Sequence, residues 1–230
     1  MADLSITNLS IIVPVLNEEE NVSSFLSHLS ALCVDKTTEI ILVDGGSRDQ
    51  TVKVALEFGS CQVVSSDKGR ANQMNTGAKF AKGNILLFLH VDTQLSDFSF
   101  EQFLSSGKVW GRFDVKLSGR KFIFRIIENF MNFRSKHTGI CTGDQAMFVT
   151  KVVFDDINGF ASIPLMEDVE ISARLRKITR PYCLLASATT SSRRWENKGV
   201  TRTILLMWRL RLFYFFGVSV EKLAKQYGSH

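Results

Sequence analysis

Three aspartates, Asp44, Asp92 and Asp168, stand where an apolar run gives way to a loop or where a helix begins. A carboxylate so placed can hold a divalent cation or take a proton from a hydroxyl. Asp92 closes the run Ile85-Leu86-Leu87-Phe88-Leu89-His90-Val91. Five large apolar residues without polar alternation suit a strand buried on both faces, as in a parallel sheet covered by helices. In open α/β sheets ligands bind beyond the carboxyl ends of such strands, so Asp92 is expected at the rim of a crevice with its carboxylate free for a metal ion. Asp44 ends a similar run, Glu39 to Val43, and Glu167-Asp168 opens a helix, where one of the two carboxylates is placed to act as a base. Taken singly, each acid reads equally well as a strand cap or a favourable helix N-terminus.

The elements that would gather these acids alternate. Ser10 to Leu16 reads as a first strand with Pro14 near its exit. Asn17 caps a helix whose apolar positions Val22, Phe25, Leu26, Leu29 and Leu32 keep helical spacing to about Val34. After the second strand comes Asp44-Gly45-Gly46-Ser47-Arg48-Asp49, where Ser47 or Asp49 can cap the next helix. A third strand spans Cys61 to Ser65, and Lys68-Gly69-Arg70 leads into a helix that ends near Gly83, a candidate left-handed stop. Four strands alternating with helices in about ninety residues predict an α/β, Rossmann-like, mostly parallel sheet flanked by helices. The second half is expected to hold a helix from Arg120 to Arg134 with Phe122, Ile126, Ile127 and Phe130 on one apolar side. A strand near Ala146 to Thr150, a turn at Asp155 to Phe160, a helix from Met166 to about Lys177 and a late strand at Tyr182 to Ala186 follow.

The 230 residues, 45% apolar and 22% charged, fit one good-sized core. A formal charge of +5 suits an anionic partner without naming it. Cys33, Cys61, Cys141 and Cys183 form no Cys-x-x-Cys pair, which points to buried thiols in a reducing, cytoplasmic setting. The stretch Met1 to Asn8 lacks the pattern of a signal peptide. From Gly199 onward a helical segment, to about residue 227, mixes aromatics with Arg209 and Arg211. It is too interrupted to cross a bilayer, and suits packing on the preceding domain of residues 1–198, on a partner subunit in a homo-oligomer, or peripherally at the inner membrane face.

The motifs carry a resemblance. Val13-Pro14-Val15-Leu16-Asn17-Glu18, Asp44-Gly45-Gly46-Ser47-Arg48-Asp49, Asn75-Thr76-Gly77-Ala78, His90-Val91-Asp92 and Glu167-Asp168, in this order, resemble the family 2 glycosyltransferases of GT-A fold. Thr142-Gly143-Asp144-Gln145, the segment Pro164 to Glu170 and Arg193-Arg194-Trp195 look like a compact bacterial branch, some of whose members are associated with arsenosugar biosynthesis. The resemblance implies transfer of a sugar, with inversion, from a nucleotide diphosphate sugar to a hydroxyl acceptor. It places Pro14, Asn17, Glu18 and Asp44 on the base and ribose, with Ser47, Lys68, Arg70 and Asn75 on the donor side. Asp92 would hold Mg²⁺ or Mn²⁺, and Asp168 would be the general base. Gly143, Asp144, Gln145, Glu167, Arg194 and Trp195 would lie on the acceptor or diphosphate side. Two positions depart from the family pattern: Gly45 and His90 stand where many relatives have acids, leaving fewer hard oxygen ligands for an ion.

Other classes compete. A nucleotidyltransferase would want a glycine-rich, basic loop after the first strand, whereas Asn17-Glu18-Glu19-Glu20 would repel a triphosphate. A sugar-nucleotide-binding module without turnover is suggested by His90 and Gly45. Nucleic acid is disfavoured as a partner, because no basic stripe interleaved with aromatics occurs before residue 193.

Overall fold

A computed structural model describes residues 9–32 and 37–228, so Met1 to Asn8 and the Cys33–Val34 end of the first helix lie outside the described residues. The first half alternates as expected: β1 (Leu9–Val15), α1 (Glu19–Leu32), β2 (Thr38–Asp44), α2 (Thr51–Phe58), β3 (Gln62–Ser65), α3 (Arg70–Phe80) and β4 (Ile85–Phe88). The second half adds β5 (Gln94–Leu95), α4 (Glu101–Ser105), β6 (Trp110–Leu117), α5 (Phe122–Thr138), β7 (Met147–Thr150), α6 (Lys151–Asp156), α7 (Glu167–Ile178) and β8 (Tyr182–Thr190). Helices α8 (Arg193–Lys198), α9 (Val200–Phe215) and α10 (Val220–Gly228) close the chain.

One sheet runs in the order β3-β2-β1-β4-β7-β6-β8-β5. β3, β2, β1 and β4 are parallel neighbours, so Val15, Asp44 and the turn after β4 all emerge at one carboxyl edge. β7 runs antiparallel to β4 and β6, and β5 antiparallel to β8, which makes the second half a mixed sheet. Both faces are covered. Ile11, Val13, Leu87 and Leu89 pack with α1 residues Val22, Phe25 and Leu26, while Ile12, Leu86 and Phe88 face Ala71, Met74 and Ala78 of α3. This two-sided burial is why β4 is apolar throughout. Pro14 lies beyond the part of β1 paired with β4, where a missing N–H is tolerated.

Helix α3 sits close on the strands because residue 77 is glycine. A Cβ there would meet Ile12 Cγ2 at 2.5 Å and Val43 Cγ2 at 2.9 Å. Gly77→Ala is therefore expected to destabilise the fold by about 1–3 kcal/mol through overpacking, against a helix-propensity gain of ~1 kcal/mol. A thermal melt of the variant that matches the parent would contradict this packing.

Several local expectations need correction. Gly83 is not a left-handed stop: α3 ends at Phe80 with Ala81 extended, and the Gly83 amide donates to Ser10 Oγ at 2.8 Å. Asp155 and Asp156 end a helix, α6, and the turn follows at Asn158 and Gly159, both at positive φ. Of the four apolar residues expected on one side of α5, only Ile127 is buried; Phe122, Ile126 and Phe130 face outward. The inward side of α5 is partly polar because β6 outruns its partner β7, which it leaves at Arg112. Asn132 brackets the Val115 amide and carbonyl at 2.9 and 3.1 Å, and buried Glu128 accepts the Leu117 amide. Of the described cysteines, Cys141 is buried while Cys61 and Cys183 are partly exposed.

Candidate active site

At the carboxyl edge of β1 and β2 two loops are stitched together. The Asp44 carboxylate accepts the amides of Gly46 and Ser47 at 3.1 Å, which bends the chain back after β2. Ser47 Oγ accepts the Asn17 amide at 2.9 Å, Asn17 Oδ1 accepts the Arg48 amide at 2.8 Å, and the Glu18 amide donates to Thr51 Oγ1 at 2.7 Å. Asn17 is thus not the cap of α1. It adopts φ 55°, a conformation asparagine tolerates, and bridges to the second loop, while the Glu18 carbonyl opens the helix. Asp49 is not the cap of α2: the N-cap position is Gln50, which makes no side-chain cap bond, and Asp49 instead accepts the amide and hydroxyl of Thr51 in a turn just before the helix.

The first turn of α3 joins this loop pair to a second group of residues. Gln73 donates to carbonyls near the carboxyl ends of both β1 and β2, Val15 O and Val43 O, at 2.8 Å. A Cβ on residue 45 would come within 3.0 Å of Gln73, so the glycine found in place of a second acid makes room for this bridge. One turn earlier stands Arg70, which is open to solvent. Its pKa is raised: partial desolvation by the surrounding protein opposes its charge, but the Tyr227 oxygen and the carboxylates of Glu167, Asp144 and Asp168 outweigh it.

Those partners converge from distant parts of the chain. Asp144 lies on a single 3-10 turn, Gly143–Gln145, that precedes β7. Its pKa is pushed up to about 6, first by burial and then by the charges of Asp92 and Asp168, against the pull of Arg70 and Arg194. Asp168 begins α7, with Oδ2 accepting the Gly143 amide at 2.9 Å and Oδ1 the Val169 amide at 2.7 Å. Burial raises its pKa, while those two amides, Arg70 and Arg134 work to lower it. Glu167 is raised as well, by burial and then by Asp168. The residue before this pair, Met166, is buried and held at φ 69°, an uncommon backbone conformation for a side chain of its size. Leu206, Leu210 and Leu223 of α9 and α10 pack around it.

His90 is enclosed and its pKa falls to about 3, by burial first and then by Arg70, so the ring is neutral. It lies against the turn carrying Asp144: a Cβ on Gly143 would meet His90 Cε1 and Nε2 at 2.8 Å. Asp92 is exposed on the turn after β4 and shares a cleft with Asn21, Thr190, Ser191 and Arg193.

The second group thus brings together Asp92, Gly143, Asp144, Glu167, Asp168, Arg70 and Arg194. Pro14, Asn17, Glu18, Asp44 and Ser47 form the adjoining loop pair, and Lys68 is exposed just before α3. Three expected site residues have other uses. Asn75 holds the Phe160 amide and carbonyl at 2.9 and 2.8 Å, tying α3 to the loop before α7. Gln145 is fully buried and donates to Ser135 Oγ and Asn132 Oδ1, so its amide braces α5 and does not face an acceptor. Trp195 is partly buried and packs with Leu117, Phe124 and Ile127, so part of its indole serves the core.

Two participants were missed. Arg134 on α5 is within electrostatic reach of Asp168 and Asp144, and its buried Nε and Nη2 atoms have no hydrogen-bond partner. Its only sequence signal is an arginine at the flank of an apolar helix stripe. Tyr227 on α10 accepts a hydrogen bond from Arg194, whose guanidinium carbon lies 3.9 Å from the ring centroid. Nothing in its neighbourhood of sequence marks it.

A carboxylate held near pH 6 in the folded state costs stability wherever it must ionise. The unfolded chain loses this proton near the usual pKa of about 4, so stability should fall as pH rises from about 4 through 6 and stay low above it. Asp144→Asn is expected to melt roughly 5–10 °C above the parent at pH 7, the shift of about 2–3 kcal/mol in a chain of this size, with the difference vanishing near pH 4. Equal melting temperatures at both pH values would contradict the placement of Asp144.

Residues 10–153 match the family model described as glycosyl transferase family 2. The chain belongs to that family. Among curated relatives, it is 31% identical over 98 residues to the undecaprenyl-phosphate 4-deoxy-4-formamido-L-arabinose transferase of Pectobacterium atrosepticum, a match covering 39% of this chain and 30% of the relative. With the dolichol-phosphate mannosyltransferase of Pyrococcus furiosus it shares 24% identity over 173 residues, 71% of this chain and 49% of that protein. The chain therefore spans a third to a half of the length of these relatives. Solved structures of similar fold include S. aureus TarS 1–349 in complex with UDP, with a TM-score of 0.63 and 19% identity over 80% of this chain and 61% of that one. A mannosyltransferase from Pyrobaculum calidifontis in complex with GDP-Man and Mn²⁺ gives a TM-score of 0.59 at 16% identity, over 81% and 57%. The central sheet and its flanking helices are those of the GT-A glycosyltransferases.

No three of the described His, Cys, Asp and Glu residues form a ready-made metal cage. An exposed Asp92 within electrostatic reach of Asp144 suits instead an ion such as Mg²⁺ or Mn²⁺ that keeps substrate phosphates and waters among its ligands.

Proposed function

We propose that this family 2 domain transfers a sugar from a nucleotide diphosphate sugar to a hydroxyl acceptor with inversion at the anomeric carbon. The observation that carries the reading is the convergence of Asp92, Asp144 and Asp168 with Arg70, Arg134 and Arg194 beside the carboxyl edge of the parallel strands. Anionic donors suit this edge, and the relatives crystallised with UDP or with GDP-Man and Mn²⁺ support the same class of donor.

The loop pair built on Asp44, Ser47, Asn17 and Glu18 would seat the nucleoside. Arg70 and Arg194 would face the diphosphate, offering planar donors to oxygens whose charge grows as the glycosidic bond breaks. Asp92 would hold a divalent metal, which when bound supplies further neutralisation of the leaving diphosphate. Asp168 would take the acceptor proton as the acceptor oxygen bonds to the anomeric carbon and the bond to the diphosphate oxygen breaks on the opposite face. The Gly143 and Val169 amides fix that carboxylate in orientation, and its raised pKa makes it a better base than an exposed aspartate.

A thermal-shift screen of nucleotide diphosphate sugars with Mn²⁺ tests the reading. A cognate donor at a hundred times its Kd should contribute about 2.7 kcal/mol, a rise of roughly 5–10 °C. Incubation of that donor with candidate hydroxyl acceptors should then release the nucleoside diphosphate. If no sugar nucleotide raises the melting temperature and none is consumed, the proposal fails.

A further inference from the structure

Helix α5 is apolar on two sides: Phe124 and Ile127 are buried against Leu117, and a second apolar set faces outward. Its inward side carries Glu128, Asn132 and Ser135, which satisfy β6 and Gln145, while Phe122, Ile126, Phe130 and Phe133 form one outward stripe, Phe122 at 79% and Phe133 at 62% exposure. Helix α9 presents a second stripe, Leu205, Trp208, Leu212 and Phe215, at the spacing of one helical face. The stripes are continuous, because the Phe130 and Trp208 rings lie 6.3 Å apart. Isolated exposed apolar residues need no explanation, but two adjoining helical faces built of aromatic and branched side chains mark an interaction surface.

Charge decides the occupant. Residues 120–138 and 193–216 contain eleven Lys and Arg against two Glu, Glu128 and Glu196. The whole chain carries only +5, so the remainder of the molecule is net negative and the basic excess is concentrated in these two segments, with Arg134, Arg193 and Arg194 turned to the carboxylate cluster and its cleft and the others left to the rest of the segments. Glu128 is buried and paired with Arg125 at 2.9 Å, so Glu196 is the one exposed acid of these segments beside exposed Lys121, Lys136, Lys198 and Arg209. In a two-fold dimer through this face, each basic rim would meet another basic rim. An anionic surface neutralises it, and long basic side chains can lay their stems on the apolar stripe with their heads among phosphates.

We infer that the α5–α9 face docks on an anionic lipid bilayer, lying in the interface without crossing it. No described helix is long and apolar enough to span. The apolar stripe of α5 ends at Phe133, next in sequence to Arg134, whose charge reaches Asp144 and Asp168.

Flotation of the full chain with vesicles reads this directly, and does so without reading sugar transfer. The protein should float with vesicles of equal phosphatidylcholine and phosphatidylglycerol at least about tenfold more than with pure phosphatidylcholine, and high salt should weaken binding. Phe130→Glu combined with Trp208→Glu should lower flotation about tenfold or more while the melting temperature holds, because both residues are exposed. Sedimentation of the free chain distinguishes self-association. Absence of flotation, flotation equal on both vesicles, flotation unchanged in the double variant, or a dimer broken by that variant that does not float would each overturn the inference.

Discussion

Asp168→Asn is expected to slow sugar transfer by about 10²- to 10⁴-fold while leaving donor affinity within a few-fold of the parent, the range expected for loss of a positioned general base. The substitution keeps one oxygen able to accept the Val169 or Gly143 amide, so α7 should start as before. What it removes is the second carboxylate oxygen and its basicity. Glu167 is the nearest alternative base, but it is buried. Glu167→Gln should therefore slow transfer far less than Asp168→Asn. Rates of nucleoside diphosphate release with the donor found by thermal shift would decide it, and full activity of the Asp168 variant would remove the residue from the role.

Asp92→Ala should cost about 10²- to 10³-fold in metal-dependent transfer, corresponding to the several kcal/mol a metal contributes where charge develops on a leaving diphosphate. It should also abolish the extra thermal stabilisation that Mn²⁺ adds to a bound donor, while leaving the unliganded protein's melting temperature unchanged, since Asp92 is exposed. Chelation of the parent enzyme should reproduce the variant's rate. A variant that retains both the Mn²⁺ response and the parent rate would show that the ion, if used, is held elsewhere.

The parallel half of the fold was legible because strands covered on two faces cannot hide: Ile85 to Leu89 has no polar position to spare. Outward faces were not legible by the same rule. The spacing of Phe122, Ile126 and Phe130 shows that α5 has an apolar side, but periodicity does not say what that side meets, and here the inward side is the one that satisfies an unpaired strand edge. The acids were legible as types in order, and Asp92 and Asp168 each come within electrostatic reach of Asp144. Asn75 and Gln145 show the limit: an amide side chain that bridges backbone groups reads in sequence like one that contacts a ligand. Arg134 and Tyr227 were invisible because their partners are supplied by segments tens of residues away, which no local pattern encodes.

The left-handed backbone at Met166 bears on how the domain could be re-engineered. Glycine at 166 would relieve the torsional cost yet release the tether that Leu206, Leu210 and Leu223 provide. Grafting the Glu167-Asp168 helix into another scaffold, or exchanging the last thirty residues with those of a cousin, would therefore have to move both pieces as one cassette. Otherwise the Asp168 carboxylate would lose the aim that a distant stretch of chain gives it.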